Sequence, residues 1–170
     1  TNTGNNIQIP PGKLANFHWY DRDPELHQAE IQAMNKYFPN FKLNKLEDGR
    51  LYWEGEIQPK LLGNHTYHLM LAYDNNHPNN SSYGGSVKCY LVSPDVDEME
   101  AQIGRPLPHL LPSSSGRYLC TSEAKDFKAS SSHSTSASSC LAWAVKWIAV
   151  YELYVGGEVT YEEFAGHSKF

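Results

Sequence analysis

Apolar side chains first recur at helical spacing in Ile31, Met34 and Phe38, and Pro39 ends that run. Asp23 is a fitting N-cap with Pro24 at the first helical position, so the pattern predicts a helix opening at 24 with one face laid on a sheet. The period then changes. Residues 41–46 and 50–58 show mixed alternation around Glu47-Asp48-Gly49, which is hairpin turn chemistry. Residues 66–73 and 86–93 predict two further strands, joined by linkers rich in Asn, Gly, Ser and Pro that include His77-Pro78 and Tyr83-Gly84-Gly85. A four-stranded antiparallel meander is the economical arrangement.

The pattern loosens after Pro94. Asp95 to Gln102 is acidic and suits a helical turn, while Pro106, Pro108 and Pro112 are expected to forbid ladder pairing, leaving a shaped loop as far as Cys120. Ser130 to Ser139 is low in complexity and reads as a surface linker whose later serines cap the next helix. From Cys140 to Val155 nearly every residue is apolar, with Lys146 and Glu152 the only charges, which predicts a helix buried on most sides and too short to span a bilayer. Gly156-Gly157 ends it, and Tyr161 to Phe170 reads as a short tail or a terminal turn of helix. Ahead of the first helix, residues 1–20 form an irregular arm. Its Phe17, Trp19 and Tyr20 either pack on their own domain or dock on another protein.

At 170 residues and 40% hydrophobic, the chain suits one α+β domain with a core of ordinary size. A net charge of -5 without clustered Lys and Arg argues against a nucleic-acid partner, and no segment suits a membrane. The three cysteines, Cys89, Cys120 and Cys140, cannot all pair and match no zinc spacing, while His65, His68 and His77 are too scattered for a metal site. No cofactor or metal is expected. Reduced thiols and an N-terminus lacking an apolar h-region suggest a cytoplasmic protein, in which the sequons at Asn64 and Asn80 arise by chance.

Cys120 is the best candidate for chemistry, because a free thiol with a pKa of roughly 8.5 is already a few per cent ionised near neutrality. Gly116, Ser115 and Thr121 around it suit an exposed loop, whereas Cys89 falls in a predicted strand and Cys140 in a predicted helix, both suited to the core. His109 suits a loop-fixing hydrogen bond better than a general base. His133 falls in the serine tract and suits a solvated loop. Trp53, Trp143 and Trp147 are most simply core packing.

Helix, meander, a proline-containing loop with His109, then Gly116, Leu119 and Cys120, and finally an apolar helix: in that order, residues 22 to 155 resemble the ubiquitin-conjugating enzyme fold. Leu51-Tyr52-Trp53-Glu54-Gly55-Glu56-Ile57 is similar to the family's second strand and Tyr67 to Tyr73 to its third. His77-Pro78 stands where the family has Tyr-Pro, and Val87 to Leu91 is similar to the fourth strand. Two departures stand out. Leu110 and Leu111 follow His109, so the Asn of the family's His-Pro-Asn tripeptide is missing, and Gly116 lies one residue further from the cysteine. These departures, with Trp143, Trp147 and the Glu162 to His167 tail, resemble divergent bacterial members from ubiquitin-like and antiphage defence operons.

The resemblance implies an arm over 1–21, a conjugating domain over 22–170, and transthiolation at Cys120. That thiolate would take a ubiquitin-like modifier from an activating enzyme and pass it to an amine on a target protein. Aminolysis commonly needs a carboxylate and a polar donor, for which Ser122, Glu123, Asp126 and His133 are nearest in sequence. Two rivals remain. One is a catalytically inactive binding module on the same scaffold, the other a cysteine hydrolase pairing Cys120 with His109 or His133.

Overall fold

Helix α2 (Pro24–Tyr37) opens where the N-cap chemistry predicts, with Pro24 at its start and the Leu26 N–H donating to Asp23 Oδ1 at 3.0 Å. The computed structural model describes residues 18–78, 85–119 and 136–166. Within them, five helices accompany one antiparallel sheet, an α+β architecture. A single turn, α1 (Trp19–Arg22), precedes α2, and it answers one question left by the sequence. Trp19 is buried among Tyr73, His77 and His27, and the Tyr20 hydroxyl donates to the Gly49 carbonyl at 2.7 Å, so both aromatics serve their own domain. Phe17 lies outside the described residues.

Strands β1 (Lys42–Lys45), β2 (Leu51–Ile57), β3 (Tyr67–Tyr73) and β4 (Val87–Ser93) pair in chain order. The sheet does not stop there. β6 (Tyr118–Leu119) pairs with β4, and β5 (Leu110–Leu111) pairs with β6, giving the order β1-β2-β3-β4-β6-β5. The expectation that prolines would forbid pairing through this stretch is therefore corrected. Pro108 and Pro112 flank β5 without entering it, and every paired residue keeps its N–H donor.

The mixed alternation of the strands has a physical source, since both faces of the sheet are buried. On one face Leu69, Leu71, Cys89 and Leu91 join Met34, Leu141, Ala144 and Ile148 from the helices. On the other, Tyr52, Met70, Ala72, Tyr90, Val92 and Tyr118 form a second buried cluster. Packing leaves little room: a Cβ on Gly55 would fall 2.7 Å from the Phe41 ring, so only glycine suits this strand position.

The acidic stretch after Pro94 makes a two-turn helix, α3 (Val96–Ile103), which is longer than the expected single turn. Asp95 caps its start by accepting from the Glu98 N–H, and Gly104 ends it at φ 68, a left-handed conformation that glycine adopts without strain. Helix α4 (Ala137–Val155) is capped by Ser136 from the serine tract, and α5 (Tyr161–Ala165) carries a capping box between Thr160 and Glu163.

Candidate functional site

Proline leaves carbonyls whose neighbouring donors are missing, and in the segment between α3 and β6 those carbonyls are taken by aromatic side chains. The Tyr161 hydroxyl donates to the Pro106 carbonyl at 2.6 Å, and Trp147 Nε1 donates to that of Pro108 at 3.1 Å. The Leu107 N–H donates to Glu100 Oε2 at 2.7 Å. Three helices thus hold a stretch that has little regular structure of its own.

His109 takes φ 62, a left-handed conformation in which histidine is more common than most side chains. Its Nε2 lies 3.2 Å from the Phe164 carbonyl of α5. A carbonyl only accepts, so that bond assigns the proton to Nε2 and ties the approach to β5 onto the last helix. Beyond β5, the Ser113 hydroxyl donates to the Gly116 carbonyl at 2.6 Å and lies 3.2 Å from the Tyr90 hydroxyl, closing the turn that leads into β6.

Arg117 anchors the same turn from outside. Its guanidinium reaches Glu100 at 2.7 and 3.0 Å and Asp97 at 3.2 Å, and the bond to Arg117 holds the Glu100 carboxyl below its ordinary range. Sequence reasoning missed this clamp, although arginines following the acidic run of α3 were a usable signal. It also missed Lys88 and Asp74, paired at 2.6 Å, with the Lys88 ammonium 5.5 Å from the Tyr118 ring centroid. Nothing in the local sequence marks that pair, because only the ladder brings residues 74, 88 and 118 together.

Strand β6 ends at Leu119, opposite Cys89 of β4, and Cys120 is the next residue of the chain. Cys120, Ser122, Glu123, Asp126 and His133 lie outside the described residues, so His109 alone of the expected site residues has a described position. The other two thiols are described. Cys89 and Cys140 are both 0% exposed, and burial, with Cys140 beside it, pushes the Cys89 thiol well above its ordinary pKa. Cys140 directs its thiol at the Val87 carbonyl.

Among the described residues no group of three His, Cys, Asp or Glu side chains is arranged to hold a metal ion. No described helix is long and apolar enough to cross a membrane.

The family model for type II CBASS E2 proteins, E2-CBASS, matches residues 30–160. The chain belongs to that family. This E2 protein is therefore a bacterial antiphage, ubiquitin-conjugating-like protein, and membership implies a role in ubiquitin-like conjugation with an activating enzyme and a modifier as partners. Comparison with curated proteins and with solved structures gave no match.

Proposed function

We propose that this E2 protein is a thioester-forming conjugating transferase on a UBC-like domain. Its Cys120 accepts a ubiquitin-like modifier from the activating enzyme and transfers it to an amine of a target protein in the bacterial cytoplasm. The observation that carries the reading is elimination by burial. Of the three cysteines in the chain, Cys89 and Cys140 are closed off in the core, and a modifier's carboxyl terminus cannot reach them. The thiol that remains is that of Cys120, the residue that follows β6 in the chain.

In the first step the Cys120 thiolate attacks the thioester carbonyl on the activating enzyme, and the activating enzyme's cysteine leaves as its thiolate. In the second, the target amine attacks the new thioester, loses a proton, and Cys120 departs as the thiolate. Thioester exchange is nearly isoenergetic, so it asks for access and modest activation rather than a triad. His109 is a positioning residue here, since its Nε2–H is committed to the Phe164 carbonyl. That commitment disfavours a hydrolase in which His109 serves as base. The roles of Ser122, Asp126 and His133 as supports for aminolysis belong to the same proposal, as does the division into an arm over 1–21 and a domain over 22–170.

The test is incubation with the activating enzyme and candidate modifier of the same defence system plus ATP, followed by non-reducing electrophoresis and intact-mass measurement. A reductant-sensitive adduct is expected for the native chain, a reductant-stable oxyester for Cys120→Ser, and none for Cys120→Ala. An adduct that persists in Cys120→Ala would overturn the assignment. Absence of any adduct from the native chain would favour the inactive binding module, and cleavage of the modifier by the chain alone would favour the hydrolase.

A further inference from the structure

At the other end of the sheet from the Cys89–Leu119 pairing, a cleft of about 70 Å³ lies between the start of β3, the end of α4 and α3. Leu62, His65, Tyr67, Gln102, Tyr151 and Glu152 line it. Pro94 is also on its wall, just past the end of β4 and five residues from Cys89, which puts the cleft about 17 Å from the Cys89–Leu119 pairing at strand spacing.

Glu152 is the unusual member, because it is a carboxylate only 2% exposed on a largely apolar helix. The Tyr67 hydroxyl donates to its Oε2 at 2.8 Å, while Oε1 has no hydrogen-bond partner among the described residues. No described Lys or Arg pairs with it, and the last turn of α4 contains no basic residue. An anion there faces the negative end of the helix dipole without compensation. A buried carboxylate oxygen left unpaired is costly, so the position calls for a donor, and a cationic donor answers both deficits.

The rim says what carries that cation. Leu61 and Leu62 are 52% and 36% exposed, the loop bearing them follows Lys60 at φ 59, and Leu62 lies 3.3 Å from where a Gly156 Cβ would stand. Aromatic walls from Tyr67 and Tyr151 suit an ammonium or guanidinium, and exposed leucines beside them suit the aliphatic surface of a protein rather than a free ion. We infer that this cleft is a docking site that receives a Lys or Arg side chain of a partner protein, with the Glu152 carboxylate at its base and Leu61 and Leu62 covering the stem. It is a binding surface, separate from the end of β6, and it stands whether or not Cys120 forms a thioester.

The test uses the full chain labelled with ¹⁵N and titrated with N-acetyl-lysine amide. Saturable shifts at the amides of His65, Tyr67, Gln102 and Tyr151 are expected, with a dissociation constant on the order of millimolar. Uncharged N-acetyl-norleucine amide should give none of them, and Glu152→Gln should weaken the lysine probe at least tenfold. Methylammonium, which has the charge without the stem, should bind at least tenfold more weakly than the lysine probe. Absence of the shifts, equal response to norleucine, or affinity retained within twofold in Glu152→Gln would overturn the site. Equal affinity for methylammonium would overturn the protein partner in favour of a small free cation. The lysine and norleucine arms use only the native chain, so they decide even if the variant does not fold.

Discussion

Two buried glutamates sit at opposite ends of α4, and each is met by a tyrosine from one end of β3. At the N-terminal end, Glu30 of α2 accepts from the Tyr73 hydroxyl at 2.8 Å and from the Ala137 N–H at 2.9 Å. At the C-terminal end, Glu152 accepts from Tyr67 alone among the described residues. The residue types match, but their electrostatic settings have opposite sign. Glu30 faces unpaired N–H groups and the positive end of a helix, so its charge caps α4 and locks α2 to it. Glu152 faces the negative end and keeps one oxygen unpartnered among the described residues. The first arrangement is closed and structural; the second is incomplete in a way that a cation from outside repairs.

The largest effect that would break this contrast is at Glu30. Glu30→Ala leaves the Tyr73 hydroxyl and the Ala137 N–H without their acceptor in a site 5% exposed. At about 1–3 kcal/mol per orphaned buried group, a total loss of about 3 kcal/mol is expected in urea unfolding. A loss under about 1 kcal/mol would mean that Glu30 does not cap α4.

Next in size is the acid response of His77, whose ring packs against Trp19 and Tyr73 beside Glu30. Burial lowers its pKa from 6.5 to about 4. The unfolded chain therefore takes up the proton first as pH falls. The stability tied to neutral His77 is complete above 6.5 and is lost as pH drops toward 4, by about 3 kcal/mol at most. Glu30 acts in the opposite sense, because burial raises its pKa, and its contribution declines as pH rises above 4.5. Unfolding measured between pH 4 and 7 should show stability rising with pH, and His77→Gln should flatten that rise. A slope unchanged in the variant would assign it elsewhere.

The smallest effect is the most discriminating. Glu152→Gln removes an unfavourable charge from the end of α4 and keeps an oxygen for Tyr67, so stability should be unchanged or higher by about 0.5–1 kcal/mol. A destabilisation above about 2 kcal/mol in thermal unfolding would show that the carboxylate has a native partner, and the contrast with Glu30 would fail.

Much of the fold was legible because its signals are local. Asp23-Pro24 opens α2, the serine tract caps α4, and the runs around Glu47-Asp48-Gly49 become β1 and β2. Strands β5 and β6 were not legible. Two-residue strands carry no periodicity, and flanking prolines hid the pairing that β4 imposes. In the candidate site, Cys89 and Cys140 were readable as core from their place in apolar runs, and the structure buries both. The Arg117 clamp and the Lys88–Asp74 pair join residues 14 to 20 positions apart, which single-sequence patterns do not connect.

The order of α2, β1 to β4 and α4, the caps of those two helices and the choice of two cysteines for the interior follow from the sequence alone, since each depends on neighbours within a few residues or on the free energy of removing apolar surface from water. Only tertiary structure decided which glutamate is completed and which is left open. Both are carboxylates in predicted helices. What separates them is which end of α4 each meets and which donors the packed sheet delivers there, and that is settled by contacts 43 to 107 residues apart in the chain.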